Sequence, residues 1–456
     1  MKRFDNIVIG FGKGGKTLAA KLSKEGQSVA LLERSDRMFG GTCINVACIP
    51  TKSLENSARL SDDMGGGFDA RAERYREAVE RKRELTASLR QKNYAKMEAA
   101  GVAVLVGAAS FTGAHTVRLD LPDGQSEELY GERIFINTGA RPFIPPIDGL
   151  LDSRYSYTSE QMMELDELPK RLMILGGGYI GMEFASIFCN FGSKVTVVQD
   201  GDAFLPREDT EIAEAVLESL EKRGVRVLRG TKTKSVRDAG GHADILLDTP
   251  AGEERLEAEA ILIATGRRPE LSGLYPEAAG IELTERGAVK VDEHLRTSVP
   301  HIFAMGDVAG GLQFTYISLD DSRIVASAVL GDGARTTENR GAVPYSVFLD
   351  PPFSRVGLSE AEAVKQGYTV KIARLPVAAI PKSQVLRKPD GLLKAVVDAE
   401  TGHILGAHLF CVESYEMINQ IKLAMDADLP YTVLRDAIYT HPTMSEAFND
   451  LFAALA

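Results

Sequence analysis

The chain has 456 residues, 44% of them hydrophobic and 26% charged, with a formal net charge of −11 at pH 7. That length predicts about two to four domains with ample core, and an acidic balance without a long basic run argues against nucleic acid or an anionic membrane as partner. Four cysteines are too few for a disulfide-stapled secreted fold, so a reducing cytoplasm is the expected compartment.

Met1-Lys2-Arg3 has the charge of a leader sequence. Phe4-Asp5-Asn6-Ile7-Val8-Ile9 then brings in an acid and runs into glycine, which predicts a first strand instead. Gly10, Gly12 and Gly15 follow with the spacing of a dinucleotide fingerprint: the first allows a tight turn, the second lets backbone approach a pyrophosphate, the third lets helix pack on strand. Val29-Ala30-Leu31-Leu32 reads as the next strand, and Glu33 at its end is placed to accept from a ribose hydroxyl.

Gly40-Gly41-Thr42-Cys43 to Cys48-Ile49-Pro50-Thr51-Lys52 comes next. Two thiols before a proline that can open a helix suggest a redox pair, because a helix N-terminus favours thiolate. A buried inert pair or half a zinc site are the alternatives. Zinc would want a second ligand pair, and Cys189 and Cys411 stand alone, each reading as core packing. No metal site is expected. Residues 71–100, charged and alanine-rich, read as a long exposed helix without chemistry.

Ile134-Phe135-Ile136-Asn137-Thr138-Gly139 closes a first lobe, and Pro142, Pro145 and Pro146 mark a crossover. The pattern then repeats. Met173-Ile174-Leu175 leads to Gly176, Gly178 and Gly181 at the same offset from the first three glycines, followed by the strand Val195-Thr196-Val197-Val198. The stretch 172–191 is the most membrane-like, but its glycines and Glu183 make it a buried strand-turn-helix. Gln199 stands where Glu33 stands in the first copy, and Asp200 follows, with no cation in the adjoining Gly201-Asp202. Ile261 to Gly266 closes the second lobe, His301-Ile302-Phe303-Ala304-Met305-Gly306-Asp307 reads as a further buried strand, and from about Val343 an α+β domain begins.

These motifs, with Tyr179, Glu183, Ala264-Thr265-Gly266, Met305-Gly306-Asp307 and His441-Pro442-Thr443 with Ser445-Glu446, resemble the FAD-dependent pyridine nucleotide–disulfide oxidoreductases from end to end. Dihydrolipoamide dehydrogenase, glutathione reductase and mercuric reductase belong to that group. The stretches Gly311 to Asp321 and Pro344 to Phe348 are closest to bacterial reactive-chlorine-resistance flavoproteins. The resemblance implies an α/β protein with two Rossmann-like nucleotide-binding domains and a C-terminal α+β dimerisation domain. FAD would take residues 1–145 and 270–340, NAD(P) 146–269, and dimerisation 341–456.

FAD would be held by Gly10, Gly12, Gly15, Glu33, Gly41, Thr42, Thr138, Gly139 and Asp307. The nicotinamide nucleotide would be held by Gly176, Gly178, Tyr179, Ile180, Gly181, Gln199 and Gly266. Lys52, paired with Glu183, would approach the flavin. Tyr179 would shield the flavin or simply pack. Cys48 would face the flavin and Cys43 the substrate, with His441, oriented by Glu446, serving the thiols from the partner subunit of an obligate homodimer. Pro442 permits a cis bond. The other histidines read as structural or surface residues.

Asp200 would repel a 2′-phosphate, so NADH is expected over NADPH. The acceptor is expected to be small: a metal ion such as Cu(II) or Hg(II), or a disulfide, in oxidative or chlorine-stress defence. A dihydrolipoamide dehydrogenase and a redox-sensing flavoprotein without turnover are the alternatives. Mercuric reductases usually add a C-terminal cysteine pair, which Leu451 to Ala456 does not carry.

Overall fold

Apolar runs without alternation become the central strands of parallel sheets, where both faces are covered. In the computed structural model, which describes residues 1–455, Lys2–Ile9 pairs in parallel with Val29–Glu33 on one side and Ser126–Ile136 on the other. Ala103–Val106 extends the sheet beyond Val29–Glu33, and Ile302–Ala304 joins Ser126–Ile136 in parallel. The first part of Ser126–Ile136 also pairs antiparallel with Thr116–Asp120, which leads to Ala108–Gly113 and completes seven strands.

The second lobe repeats the plan. Arg171–Leu175 lies between Lys194–Val198 and Ala260–Ile263, with Arg226–Leu228 and Ser156–Thr158 at the edges, all parallel. A three-stranded antiparallel sheet, Lys232–Ala239, His242–Thr249 and Gly252–Ala258, is inserted before the last central strand. Chain leaving the first lobe (Ala140–Pro142) pairs antiparallel with chain returning from the second (Arg267–Pro269), so the crossover is a short two-stranded hinge. The C-terminal domain is a five-stranded antiparallel sheet, in the order Tyr345–Val347, Phe353–Gly357, Ile404–Phe410, Leu392–Asp398, Val370–Pro376, backed by the Ser414–Asp426 helix. The membrane-like stretch is divided between the Arg171–Leu175 strand and the Tyr179–Asn190 helix. Among the described residues no helix is long and apolar enough to cross a membrane.

The long helix, Phe68–Ala99, departs from the sequence expectation. It is not simply exposed: Tyr75, Ala78, Val79 and Lys82 form a buried stripe at helical spacing. The Tyr75 ring meets Phe188 and Phe191 of the second lobe at centroid distances of 5.8 and 5.2 Å. The charged remainder of the helix hides that stripe in any average over its length. Lys82, buried along the stripe, reaches Glu164. A second set of polar contacts joins the second lobe to the C-terminal domain: the buried Lys394 ammonium lies 2.9 Å from Asp209 and 2.8 Å from Glu360.

Candidate active site

The first fingerprint is built around one side chain. Gly10 has φ +103°, and a Cβ there would lie 2.4 Å from the Asn137 carbonyl oxygen. A Cβ on Gly12 would lie 2.5 Å from Asn137 Oδ1. The Gly15 N–H donates to that same Oδ1 at 2.8 Å, and Asn137 Nδ2 donates to the Met305 carbonyl at 2.7 Å. Asn137 thus ties the fingerprint to the strand before Asp307. The Lys13–Lys24 helix starts at Gly12 with no side-chain cap, which leaves its positive end for an anion. Glu33 accepts from the Phe11 N–H at 3.0 Å, and burial pushes its pKa up. The Thr138 hydroxyl is buried without a partner. Asp307 also lines the cleft, and burial raises its pKa, opposed by Arg267.

The cysteine loop is pressed onto this turn. Gly41 has φ +77°, and a Cβ there would lie 2.6 Å from Gly12 Cα, so only glycine lets the two segments meet. Cys43 lies in the short Thr42–Asn45 helix, and Cys48 opens the Cys48–Met64 helix with Pro50 in its first turn. Both thiols are free. The neighbouring Cys43 thiol is the leading influence that, aided by Thr315 and Lys52 against the cost of burial, pulls Cys48 down to about 6. Cys48 and burial push Cys43 the other way, up. Negative charge is thus favoured on Cys48, whose Sγ is 3.3 Å from Thr315 Oγ1.

One helical turn on, Lys52 Nζ lies 2.8 Å from each carboxylate oxygen of Glu183 and 4.5 Å over the Phe348 ring. Glu183 also accepts from the Phe348 N–H at 3.0 Å, which fixes the carboxylate from a second domain.

In the second fingerprint Gly176 has φ +111°, and a Cβ would lie 2.5 Å from the Ala264 carbonyl oxygen. A Cβ on Gly181 would lie 2.2 Å from the Gly176 carbonyl oxygen, whereas one on Gly178 would meet nothing within 4 Å. The middle glycine thus opens onto free space above a helix start without a side-chain cap. Gln199 is turned onto its own loop, its amide donating to the Gly201 and Ala203 carbonyls at 2.7 and 3.0 Å. Adjoining sequence puts no cation next to Gln199, but Arg207 and Lys232 line the same cleft. Gly266, at φ +112°, lines it too.

All these parts face a single cleft of about 2690 Å³. Gly10, Gly12, Glu33, Gly41, Thr42, Thr138, Gly139 and Asp307 line one arm, and Gly176, Gly178, Tyr179, Ile180, Gln199 and Gly266 the other. Cys43, Cys48, Lys52 and Glu183 lie on its wall as well. Gly15 and Gly181 stand behind it, where their missing side chains let helix meet strand.

His441 is the exception. Its ring is 68% exposed and does not line the cleft, and Nδ1 lies 2.9 Å from both carboxylate oxygens of Glu446. The His441–Pro442 bond is cis. Cys189 and Cys411 find their partners away from Cys43 and Cys48: Cys189 donates to the Arg223 carbonyl at 3.2 Å, and Cys411 is buried against Met417.

Sequence reasoning missed a cluster that crosses all three domains. Tyr179 and Tyr345 both donate to the fully buried Glu208 carboxylate, the second at 2.7 Å. Phe314 stacks on Tyr345 and Tyr316 at centroid distances of 5.7 and 5.2 Å. Tyr316 donates to the Pro344 carbonyl at 2.6 Å. The stretches 311–321 and 344–348 therefore meet, the first placing Thr315 against Cys48. Their advance signal was the resemblance they carry to reactive-chlorine-resistance flavoproteins, the first stretch also differing from a typical dihydrolipoamide dehydrogenase.

Residues 4–322 match the family model described as pyridine nucleotide-disulphide oxidoreductase, and residues 343–452 match the dimerisation domain of the same group. The chain belongs to the pyridine nucleotide–disulphide oxidoreductase family. It is 47% identical over 454 residues to the "probable pyridine nucleotide-disulfide oxidoreductase RclA" of Escherichia coli (strain K12), covering 99% of each chain. It is 32% identical over 461 residues to the dihydrolipoyl dehydrogenase of Mycobacterium tuberculosis (strain ATCC 25618 / H37Rv), covering 100% of this chain and 98% of that one. The solved structure titled as the Cu(II) complex of the HOCl-induced flavoprotein disulfide reductase RclA from Escherichia coli superimposes with a TM-score of 0.94 at 46% identity, covering 100% of both chains. Two Rossmann-like domains and a dimerisation domain are thus the architecture of an enzyme of this family.

Proposed function

We propose that the protein is an FAD-dependent NAD(P)H oxidoreductase that passes electrons through Cys43 and Cys48 to a small acceptor, a metal ion such as Cu(II) or Hg(II) or a disulfide, in defence against oxidants and reactive chlorine. The carrying observation is that Cys43 and Cys48, with Thr315 3.3 Å from the Cys48 sulfur, lie in the wall of the one cleft that both glycine-rich turns line.

Residues 1–145 with 270–340 would bind FAD, residues 146–269 the nicotinamide nucleotide, and residues 341–456 the second subunit. The orphan Thr138 hydroxyl and the uncapped helix start at Gly12 fit a polar, phosphate-bearing group. Glu33 is placed for the adenosine ribose, Gly10, Gly41, Thr42 and Gly139 for close backbone approach, and Asp307 for the polar chain between the rings. Bound FAD supplies the two-electron step between nicotinamide and disulfide. Lys52, anchored by Glu183, sets a fixed positive charge at that step. Cys48, with Thr315 against its sulfur, keeps the thiolate inside the protein, and Cys43 meets the acceptor. The partner subunit's His441, oriented by its own glutamate, would take and return the proton.

Gln199 and Asp200 favour NADH, with Arg207 and Lys232 as the opposing influence. The solved RclA complex with Cu(II) supports a metal ion as acceptor. The full-length match to dihydrolipoyl dehydrogenase supports the second reading, a lipoamide-linked enzyme.

The test is anaerobic reduction of the yellow protein by NADH, followed by Cu(II), Hg(II), lipoamide or oxidised glutathione. A long-wavelength thiolate–flavin band discharged fastest by metal ion is the expected result. Discharge chiefly by lipoamide would install the second reading, and no band would overturn the relay. A kcat/KM for NADPH tenfold above that for NADH would reverse the coenzyme assignment.

A further inference from the structure

Tyr179 opens the Tyr179–Asn190 helix directly after Gly178, and Glu183, which holds Lys52, lies one turn further along the same face. The phenol therefore stands on the cleft wall between the glycine-rich turn and the Lys52–Glu183 pair. Its hydroxyl donates to Glu208, which is fully buried and outside the cleft lining. Tyr345 donates to the same oxygen, Oε1, at 2.7 Å, and the two hydroxyls lie 3.5 Å apart. Among the described residues the other oxygen, Oε2, accepts no hydrogen bond and faces Arg355 Nη1 at 3.5 Å.

Tyr345 and Arg355 arrive together, directly opposite each other where Tyr345–Val347 pairs with Phe353–Gly357. The Tyr345 ring stacks on Phe314 at 5.7 Å and meets the buried Phe353 edge-on at 6.4 Å, so it is held from two sides independently of Glu208. Tyr179 is the less restrained phenol: the ring it meets is Tyr345 itself, at 5.7 Å.

We propose that Glu208 and Tyr345 are positioning residues that set how firmly Tyr179 is held over the nicotinamide end of the cleft. Glu208 anchors the Tyr179 hydroxyl, and Tyr345, sharing the same oxygen, loosens that anchor and takes it over when Tyr179 turns aside. The assignment rests on the coenzyme seat proposed above. Two donors on one oxygen divide its charge, so each bond is weaker than it would be alone. When Tyr179 leaves, the buried carboxylate keeps Tyr345 and Arg355 and is not stranded as an unanswered charge. A ligand that needs the ring displaced binds less tightly in proportion to how rarely the ring is displaced. Mere attachment of the second lobe to the C-terminal domain, which Lys394 with Asp209 and Glu360 also provides, predicts no distinction between ligands with and without a nicotinamide.

The experiment is calorimetric titration of oxidised holoenzyme with tetrahydro-NAD, which carries the ring but no hydride to transfer, and with ADP-ribose, which lacks the ring. Tyr179→Phe should lower the Kd for tetrahydro-NAD about fivefold, and Tyr345→Phe should raise it about fivefold. Once Tyr179→Phe is present, adding Tyr345→Phe should change nothing further. The Kd for ADP-ribose should be the same throughout. A Tyr345→Phe Kd for tetrahydro-NAD that is unmoved or lower overturns the anchor, as does an equal shift for ADP-ribose, the mark of a purely structural contact. Where Tyr345→Phe yields no folded flavoprotein, Glu208→Gln decides: with the charge gone the Kd for tetrahydro-NAD should fall about fivefold, and an unchanged value overturns the anchor. ADP-ribose binding that Gly178→Ala leaves unaltered overturns the coenzyme seat, and this assignment with it.

Discussion

At the scale of residues, the decisive event is which sulfur carries the proton. With Cys43 as the leading influence, the thiol pKa of Cys48 is pulled down to about 6, so its charge is present above about that pH and disappears as pH falls through it. Reduced enzyme titrated downward should lose its thiolate–flavin band around that pH. Cys43→Ala removes the leading cause of the shift and leaves burial, which opposes ionisation, so the band should then persist only at markedly higher pH. A midpoint unmoved by Cys43→Ala would assign the acidity of Cys48 to Lys52 and Thr315 instead. The two cysteines were legible because they sit within one loop, just before a proline that can open a helix; Lys52 was reached through family resemblance. Thr315, Glu208, Tyr345 and Asn137 were not, because each acquires its meaning from a partner more than one hundred residues away or on another domain. Glu183 was reached only through family resemblance.

At the scale of elements, the two fingerprints look alike in sequence yet differ in what their middle glycines face. A methyl on Gly12 runs into Asn137 Oδ1 at 2.5 Å, whereas one on Gly178 has no neighbour within 4 Å. Gly12→Ala should therefore disturb the polypeptide itself, lowering both FAD content and Tm. Gly178→Ala should fold with FAD and lose about 1 kcal/mol or less, the modest cost of replacing glycine at a helix cap. Its KM for NADH should rise at least tenfold, because the methyl occupies the backbone approach a pyrophosphate needs. Steady-state kinetics with thermal unfolding separates the outcomes; an unaltered KM in Gly178→Ala would move the nucleotide elsewhere. The repeated strand-turn-helix units were readable from local pattern, as was the change of texture near Val343. The Phe68–Ala99 helix was misread as merely exposed, since its buried stripe is four residues wide in a strongly charged sequence and its partners, Phe188 and Phe191, belong to another lobe. That helix also supplies Asn93 and Arg90 behind the cysteine loop, so the segment given no chemistry by its sequence supports the site from outside.

At the scale of the molecule, the cleft of one chain brings together Cys43, Cys48, Lys52 and Glu183 but not His441. His441 and Glu446 are paired with each other, but the imidazole is exposed and lies outside the cleft that contains Cys43. A dimerisation domain spanning 343–452 includes both residues, so symmetry can deliver what the single chain does not. In a two-fold dimer each active site would then combine the cysteines of one subunit with the partner subunit's His441. This arrangement is testable by complementation. Cys43→Ala and His441→Ala homodimers should each be nearly inactive towards the acceptor, since one lacks the attacking thiol and the other the proton carrier. Co-expressed and purified through two different tags, the mixed dimer should regain about half the activity of the unsubstituted enzyme: one of its sites pairs intact cysteines with an intact histidine, and the other carries both losses. A base supplied within the same chain would leave both sites of the mixed dimer damaged, one through each substitution, and activity would not return. Flavin content and NADH-dependent flavin reduction should be normal in all three preparations, because neither substitution touches the glycine-rich turns that line the cleft. Recovery of acceptor turnover with unchanged flavin reduction would place the histidine in the second half-reaction and in the other subunit.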